Sequence, residues 1–256
     1  MTEKGREKLM NLQEFFAQHP KAALGFSGGA DSAYLLYAAA KWGCRIRPYF
    51  VKTAFQPEFE LRDAKRLAQE LGVELTVIEL PVLSFENVAK NTEKRCYYCK
   101  TALFSALKER TAQDGFSLLL DGTNASDDAS DRPGMRALRE LEVRSPLREC
   151  GLSKAEIRRL SKEAGLFTWD KPAYACLATR VPVGEGLTAE ILEKIEGAEN
   201  ALYALGFSDL RVRVFHGAAR VQLPKAQMLR AGEQWEEIYH ALKPWFPAVF
   251  LDLNGR

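Results

Sequence analysis

No stretch of these 256 residues approaches the length of a membrane span. The N-terminal segment, residues 1–13, is charged and amphipathic and lacks the apolar core of a signal peptide, so the cytoplasm is the expected compartment. A bias of charge is missing as well: 36 Lys and Arg against 34 Asp and Glu leave a net charge of +2. That balance gives no overall basic footprint for nucleic acid, and nucleic acid is not an expected partner. Internal repeats and low-complexity runs are absent. The cysteines number five, an odd count that argues against a disulfide framework. In a cytosolic chain such cysteines bind metal, do chemistry or are simply buried. What is present, 46% hydrophobic and 27% charged residues, is the composition of an ordinary globular protein. The length allows one large domain, or one domain with a small partner.

The chain also lacks a Walker lysine loop, but it carries a different anion motif. After the apolar run Ala22-Ala23-Leu24 it reads Gly25-Phe26-Ser27-Gly28-Gly29-Ala30-Asp31-Ser32 and then enters an apolar helical stretch. A buried strand, a glycine turn and a helix start make an anion site. The glycines let backbone N–H groups converge, Ser27 and Ser32 add hydroxyls, and the helix N-terminus adds partial positive charge. The Ser-Gly-Gly-x-Asp-Ser pattern in this place resembles the PP-loop ATP pyrophosphatases, which cleave ATP between its α and β phosphates. On that resemblance, Ser27, Gly28, Gly29, Asp31 and Ser32 cradle ATP or pyrophosphate. Asp31 is negative, so it is a candidate for Mg2+ or a loop hydrogen bond, with helix capping as the alternative.

The remaining pattern alternates strands and helices. Strands are expected at residues 21–26, 45–52, 74–80 and 117–120, and helices at 1–16, 31–42, 57–71, 101–110 and 153–164, the last opened by Ser153 and Glu156 as a capping box. This predicts an α/β fold with a doubly wound parallel sheet of the PP-loop (HUP-like) type, with ligands at the carboxyl ends of the strands. Residues 169–186 read as a functional loop. Beyond it a long helix at 188–205, strands at 210–215 and 219–223 around His216-Gly217, a helix at 234–242 and a last strand at 249–253 predict a smaller C-terminal α+β domain. The expected division is 1–170 and 171–256.

Further segments narrow the resemblance: Arg95-Cys96-Tyr97-Tyr98-Cys99-Lys100, Asp121-Gly122-Thr123-Asn124 through Asp127-Asp128 to Arg132-Pro133-Gly134, Ser145-Pro146-Leu147, Thr168-Trp169-Asp170-Lys171-Pro172 and Ala175-Cys176-Leu177-Ala178-Thr179-Arg180. Together they closely resemble the LarE family of ATP-dependent sulfur transferases, which helps build the nickel-pincer nucleotide cofactor. The resemblance implies a small nucleotide substrate, a pyridinium mononucleotide with two carboxylates. ATP adenylates a carboxylate, pyrophosphate leaves with magnesium, and a sulfur nucleophile displaces AMP. Cys176 aligns with the family's sulfur-donating cysteine, a small buried hydrophobe being the bland alternative.

Two routes stay open. Cys176 either gives up its own sulfur and becomes dehydroalanine, or shares a [4Fe–4S] cluster with Cys96 and Cys99, one iron being left open to carry sulfide from a sulfur donor. A bare C-x-x-C also suits zinc or redox chemistry. Cys44 and Cys150 read as structural. Lys100 is a candidate phosphate or AMP contact or a solvated side chain, and Gly122 and Thr123 stand at a strand end where a nucleotide could meet them. Asp128 and Arg132 lie in a polar loop. Arg180, Arg211 and Arg213 are candidates for the substrate's carboxylates and phosphate, because guanidinium forks pair with both; an exposed strand face is the alternative for the last two. A homo-oligomer is expected, with a hexamer as the size considered. Two other functions compete: a tRNA-thiolating PP-loop enzyme, and an adenine-nucleotide-binding regulator with a structural zinc at a Cys96–Cys99 hairpin.

Overall fold

A computed structural model describes residues 10–127 and 133–256. In chain order the elements begin α1 (Leu12–Gln18), β1 (Lys21–Gly25), α2 (Ala30–Lys41), β2 (Arg45–Lys52), α3 (Glu58–Glu70), β3 (Thr76–Glu79), α4 (Glu86–Ala89), α5 (Arg95–Gln113) and β4 (Leu119–Leu120). They continue with α6 (Pro133–Glu140), α7 (Pro146–Glu149), α8 (Lys154–Glu163), α9 (Ala189–Ala204), β5 (Arg211–Phe215), β6 (Ala218–Gln222), α10 (Met228–Glu233), α11 (Trp235–Leu242) and β7 (Val249–Leu251). Among the described residues no helix is long and apolar enough to cross a membrane.

The chain divides into two compact units. Of the described residues, the first comprises 10–53, 58–80, 96–127 and 133–174, and the second 54–57, 81–95 and 175–256.

The first unit holds a parallel sheet in the order β3-β2-β1-β4. Alternation along the strands feeds two cores. Ala22, Leu24 and Phe50 face one side with α1, α2, α3 and α8, where Phe15, Leu35, Leu36, Leu67 and Ile157 are buried. Ala23, Tyr49 and Val51 face the other side, against Leu107 of α5 and Phe116. Helices on both faces make the sheet doubly wound, as expected. The strand order reverses between β1 and β4, and in such sheets ligands bind at that switch point, beyond the carboxyl ends of the strands. The turn after β1 holds Ser27 to Ser32, and the turn after β4 holds Asp121 to Asn124.

In the second unit β5 pairs antiparallel with β6, and β7 adds to β6 in parallel. His216 and Gly217 both have positive φ, 49° and 76°, as a two-residue hairpin turn of this hand requires. Helix α9 packs on β5, and α11 packs on α9.

Most expected elements stand within two residues of their limits, with these differences. Helix α5 begins at Arg95 rather than near 101, so Cys96 and Cys99 sit at the N-terminal end of a helix and not in a hairpin. Strand β4 is two residues long, although Arg144 extends that edge by exchanging hydrogen bonds with Leu119 and Asp121. Helices α4, α6, α7 and α10 occupy stretches where no element is expected. The first helix is seen from Leu12, and the expectation for residues 1–9 lies outside the described residues.

Candidate active site

The loop after β1 is built by its glycines. Gly28 has φ +71°, a left-handed conformation that a side chain disfavours, and a Cβ there would stand 3.1 Å from the carbonyl oxygen of Glu60. Gly29 is the N-cap of α2, and no side chain caps that helix, so its first-turn amides are offered to a ligand. The hydroxyls of Ser27 and Ser32 lie 3.0 Å apart. Asp31 sits in the first turn of α2 and does not cap it. Its Oδ2 accepts from Lys154 Nζ at 2.6 Å, while its Oδ1 is buried with no hydrogen-bond partner. On the other flank, Lys171 Nζ bridges the Gly28 carbonyl at 3.2 Å and Asp63 Oδ2 at 2.7 Å, tying the loop to α3.

The turn after β4 meets this loop directly. A Cβ on Gly122 would stand 3.0 Å from the Ser32 nitrogen, so only glycine lets the two turns lie so close. Asp121, beside it, is buried and accepts from Ser145 Oγ at 2.6 Å and from Thr123 Oγ1. Burial raises its pKa, opposed by the Ser145 and Thr123 hydrogen bonds and by the charge of Lys100. Ser27, Gly28, Gly29, Asp31, Ser32, Gly122 and Thr123 are thus gathered at the switch point, and the Lys100 charge is felt there. Asp128 and Arg132 lie outside the described residues.

In the second unit Cys176 precedes a short 3-10 turn, Leu177–Arg180, and is partly buried. Its carbonyl accepts from the Thr179 amide at 3.0 Å, from Thr179 Oγ1 at 2.8 Å and from Arg180 Nη1 at 3.1 Å. Arg180 Nη1 also donates to the Ala175 carbonyl at 2.5 Å, and Nε donates to Glu199 Oε1 at 2.9 Å. The two charged side chains are 0% and 2% exposed. Glu199 Oε1 accepts a further bond from the Val212 amide, locking α9 to β5. Arg213 donates to the Thr179 carbonyl at 2.5 Å and to Gln222 Oε1 at 2.7 Å. Arg211 is buried and donates to the Leu210 carbonyl. The last two share one side of β5, but that side is not an exposed face. Burial and the charges of Arg180, Arg220 and Arg211 push the Arg213 pKa down.

The loop carrying Cys176 is braced by residues distant in sequence. Asn91, fully buried, donates to the carbonyls of Pro182 at 2.8 Å and Glu185 at 3.0 Å. Arg95, the residue before Cys96, donates to the carbonyls of Ala178 at 3.0 Å and the side chain of Asn91.

Cys96 is exposed and Cys99 half-buried, three apart on α5 and therefore on one helix face. Among the described residues no group of three or more His, Cys, Asp or Glu is gathered to hold a metal ion. Cys44 and Cys150 behave as structural thiols: burial pushes each pKa up to about 11, and Cys44 Sγ donates to the His19 carbonyl.

Several residues of this arrangement escape sequence reasoning. Ser145 and Lys171 lie in singled-out motifs without an evident task, and the structure supplies one for each. Lys154, Asn91 and Glu199 carry no local signal, because each acts on a partner at least 13 positions away.

No protein-family model matches the chain. It is 37% identical over 224 residues to an uncharacterised protein of Synechocystis sp., covering 86% of this chain and 83% of that one. It is 33% identical over 210 residues to the pyridinium-3,5-bisthiocarboxylic acid mononucleotide synthase of Lactiplantibacillus plantarum, covering 81% and 76%. A more distant similarity, 25% over 194 residues, links it to the tRNA-specific 2-thiouridylase of Thermotoga petrophila, covering 59% and 54%.

Proposed function

The chain belongs to the LarE family of ATP-dependent sulfur transferases, and on that premise we propose that it adenylates the carboxylates of pyridinium-3,5-biscarboxylic acid mononucleotide and converts them to thiocarboxylates for the nickel-pincer nucleotide cofactor. The observation that carries this reading is the turn after β1 seated against the turn after β4 at the sheet's switch point, with Gly122 against Ser32. In this reading Ser27, Gly28, Gly29 and Ser32 bind the phosphates, and Lys100, Gly122 and Thr123 meet the nucleotide. The buried, unpartnered Oδ1 of Asp31 suits a hard cation, and Mg2+ held there would neutralise the departing pyrophosphate.

A carboxylate resists attack because its oxygen is a poor leaving group. Attack of that oxygen on the α-phosphorus of ATP expels pyrophosphate and makes an acyl adenylate. The thiolate of Cys176 then attacks the acyl carbon and expels AMP. In the sacrificial route, loss of the Cα proton breaks the Cβ–S bond, leaving a thiocarboxylate on the substrate and dehydroalanine at 176. Arg180 positions the Cys176 turn, and Arg211 and Arg213 meet anionic groups of the substrate. Burial, then the mutual repulsion of the arginines, pushes the Arg213 pKa down, and an anion beside it would offset both.

The alternative sulfur route uses Cys96, Cys99 and Cys176 as ligands of a [4Fe–4S] cluster, which would supply an open iron to carry sulfide from a donor. The exposure and i, i+3 spacing of Cys96 and Cys99 support it. In the same proposal residues 1–170 handle ATP, residues 171–256 handle sulfur, the enzyme works in the cytoplasm and the chain forms a homo-oligomer. The tRNA-thiolating reading has the weaker likeness, 25% identity against 33%.

The test is one incubation of anaerobically purified protein with ATP and the biscarboxylate nucleotide, read for pyrophosphate, thiocarboxylate, iron and protein mass. Pyrophosphate with thiocarboxylate is expected, and Cys176→Ala should keep the first and lose the second. Orthophosphate and ADP, or nucleotide binding without turnover as a regulator would show, overturns the proposal. A loss of about 34 Da, the H₂S eliminated from a cysteine thiolate, selects the sacrificial route; repeated turnover with bound iron and intact Cys176 selects the cluster.

A further inference from the structure

The first turn of α2 holds an unusual carboxylate. Asp31 stands in the first turn of a helix whose amides await an anion, where a second negative charge would repel the incoming phosphates. One of its oxygens is matched by Lys154 Nζ at 2.6 Å, and the other is buried with no partner. A buried acceptor left unmatched is costly, and one placed beside an anion site is matched when a cation arrives with that anion. Lys154 is itself held in place. It begins α8, and its backbone amide donates to Ser126 Oγ at 3.0 Å. Ser126 belongs to the turn after β4, where its amide bonds to Asn124 Oδ1 at 2.8 Å. The side chain, 34% exposed, is therefore mounted on the turn that follows Gly122 and Thr123, while its ammonium rests on Asp31 at the start of α2. The capping box of Ser153 and Glu156 spans Lys154 but gives its ammonium no task.

We propose that Lys154 is a phosphate-positioning residue that changes partner: it neutralises Asp31 in the nucleotide-free loop, and pairs with a phosphate oxygen of bound ATP once a divalent cation takes over the Asp31 carboxylate. This rests on the ATP reading of the loop and adds to it the cation that a Walker lysine supplies elsewhere. The exchange conserves charge at the site. The divalent ion replaces the ammonium at Asp31, and the ammonium moves to an anion that did not exist there before. A fixed structural ion pair has no such second partner.

The two ideas differ in the sign of one measurement. If Lys154 competes with the divalent cation for Asp31, removing it should tighten cation binding to nucleotide-free protein while weakening nucleotide binding. The probes are Mn2+, followed by electron paramagnetic resonance, and the α,β-methylene analogue of ATP with Mg2+, followed by calorimetry. For Lys154→Met we expect the analogue to bind about tenfold more weakly, the loss of one charge-assisted contact. We expect Mn2+ alone to bind about fivefold more tightly, since a charge competing in a partly solvated site is gone. Lys154→Arg should restore most of the analogue affinity, and Asp31→Asn should abolish Mn2+ binding with either residue at 154. Unchanged analogue affinity in Lys154→Met, or a fall in both affinities together, overturns the proposal. A wild-type protein that binds no analogue overturns the ATP reading itself, a result seen before any variant is made.

Discussion

Arg180 and Glu199 form an ion pair, Nε to Oε1 at 2.9 Å, with both side chains withdrawn from water. The pair joins α9 to the turn of Cys176, because the same guanidinium reaches the carbonyls of Ala175 and Cys176. Removing one member of such a pair strands the other charge in a poorly solvating interior. Arg180→Met should therefore cost about 3–5 kcal/mol of stability, measured by denaturant unfolding. Glu199→Gln should cost less than Arg180→Met, since its carbonyl oxygen can still accept from the Val212 amide. Equal stability of Arg180→Met and wild type would refute the bracing role.

Lys171 holds Gly28 in its left-handed conformation from outside the loop, with Asp63 as the anchor. Lys171→Met leaves the Asp63 carboxylate without this partner and frees the loop. The expected result is a rise in the KM for ATP of about tenfold, with a smaller change in kcat, because the loss falls on ground-state and transition-state binding alike. Initial rates of pyrophosphate release decide it; a fall in kcat at constant KM would place Lys171 in the chemistry instead.

Asp121 gives the stability a definite pH sign. Burial raises its pKa in the folded protein, so the folded form holds its proton more tightly than the unfolded chain does. Its contribution is fully present below the ordinary carboxylate value of about 4, and it is lost as pH rises through the folded value. Asp121→Asn removes that loss while its amide can still face Ser145 and Thr123. The stability of Asp121→Asn relative to wild type should climb with pH above about 4, as read from paired denaturation curves. A difference that stays flat, or falls, between mildly acidic and neutral pH contradicts this.

The five thiols should sort by reactivity. Cys44 and Cys150, pushed up to about 11, carry almost no thiolate near neutral pH and should resist iodoacetamide in the native protein. Cys96 is exposed and should be alkylated first. Peptide mapping by mass spectrometry gives the order, and prior labelling of Cys44 would show that its burial is wrong.

Residue order alone carried the architecture and the place of the glycine loop between β1 and α2, because both are written in local chemistry. Strand β2 reads correctly at both ends from its apolar run, α8 from Ser153 and Glu156, and the hairpin turn from His216-Gly217. The Ser27–Ser32 loop is legible because glycines, hydroxyls and a helix start must be contiguous to make an anion site. The reading of Cys44 as a structural thiol comes from its neighbours in sequence, and its burial agrees. Other features depend on partners far along the chain. Asn91 needs Pro182 and Glu185, Lys154 needs Asp31, and Arg180 needs Glu199. The early start of α5 belongs here too: Cys96, Tyr97 and Tyr98 are weak helix formers, so local propensity points to a later start. Periodicity records which face of an element is buried, whereas the match of a buried charge to its counter-charge exists only once the chain has closed on itself.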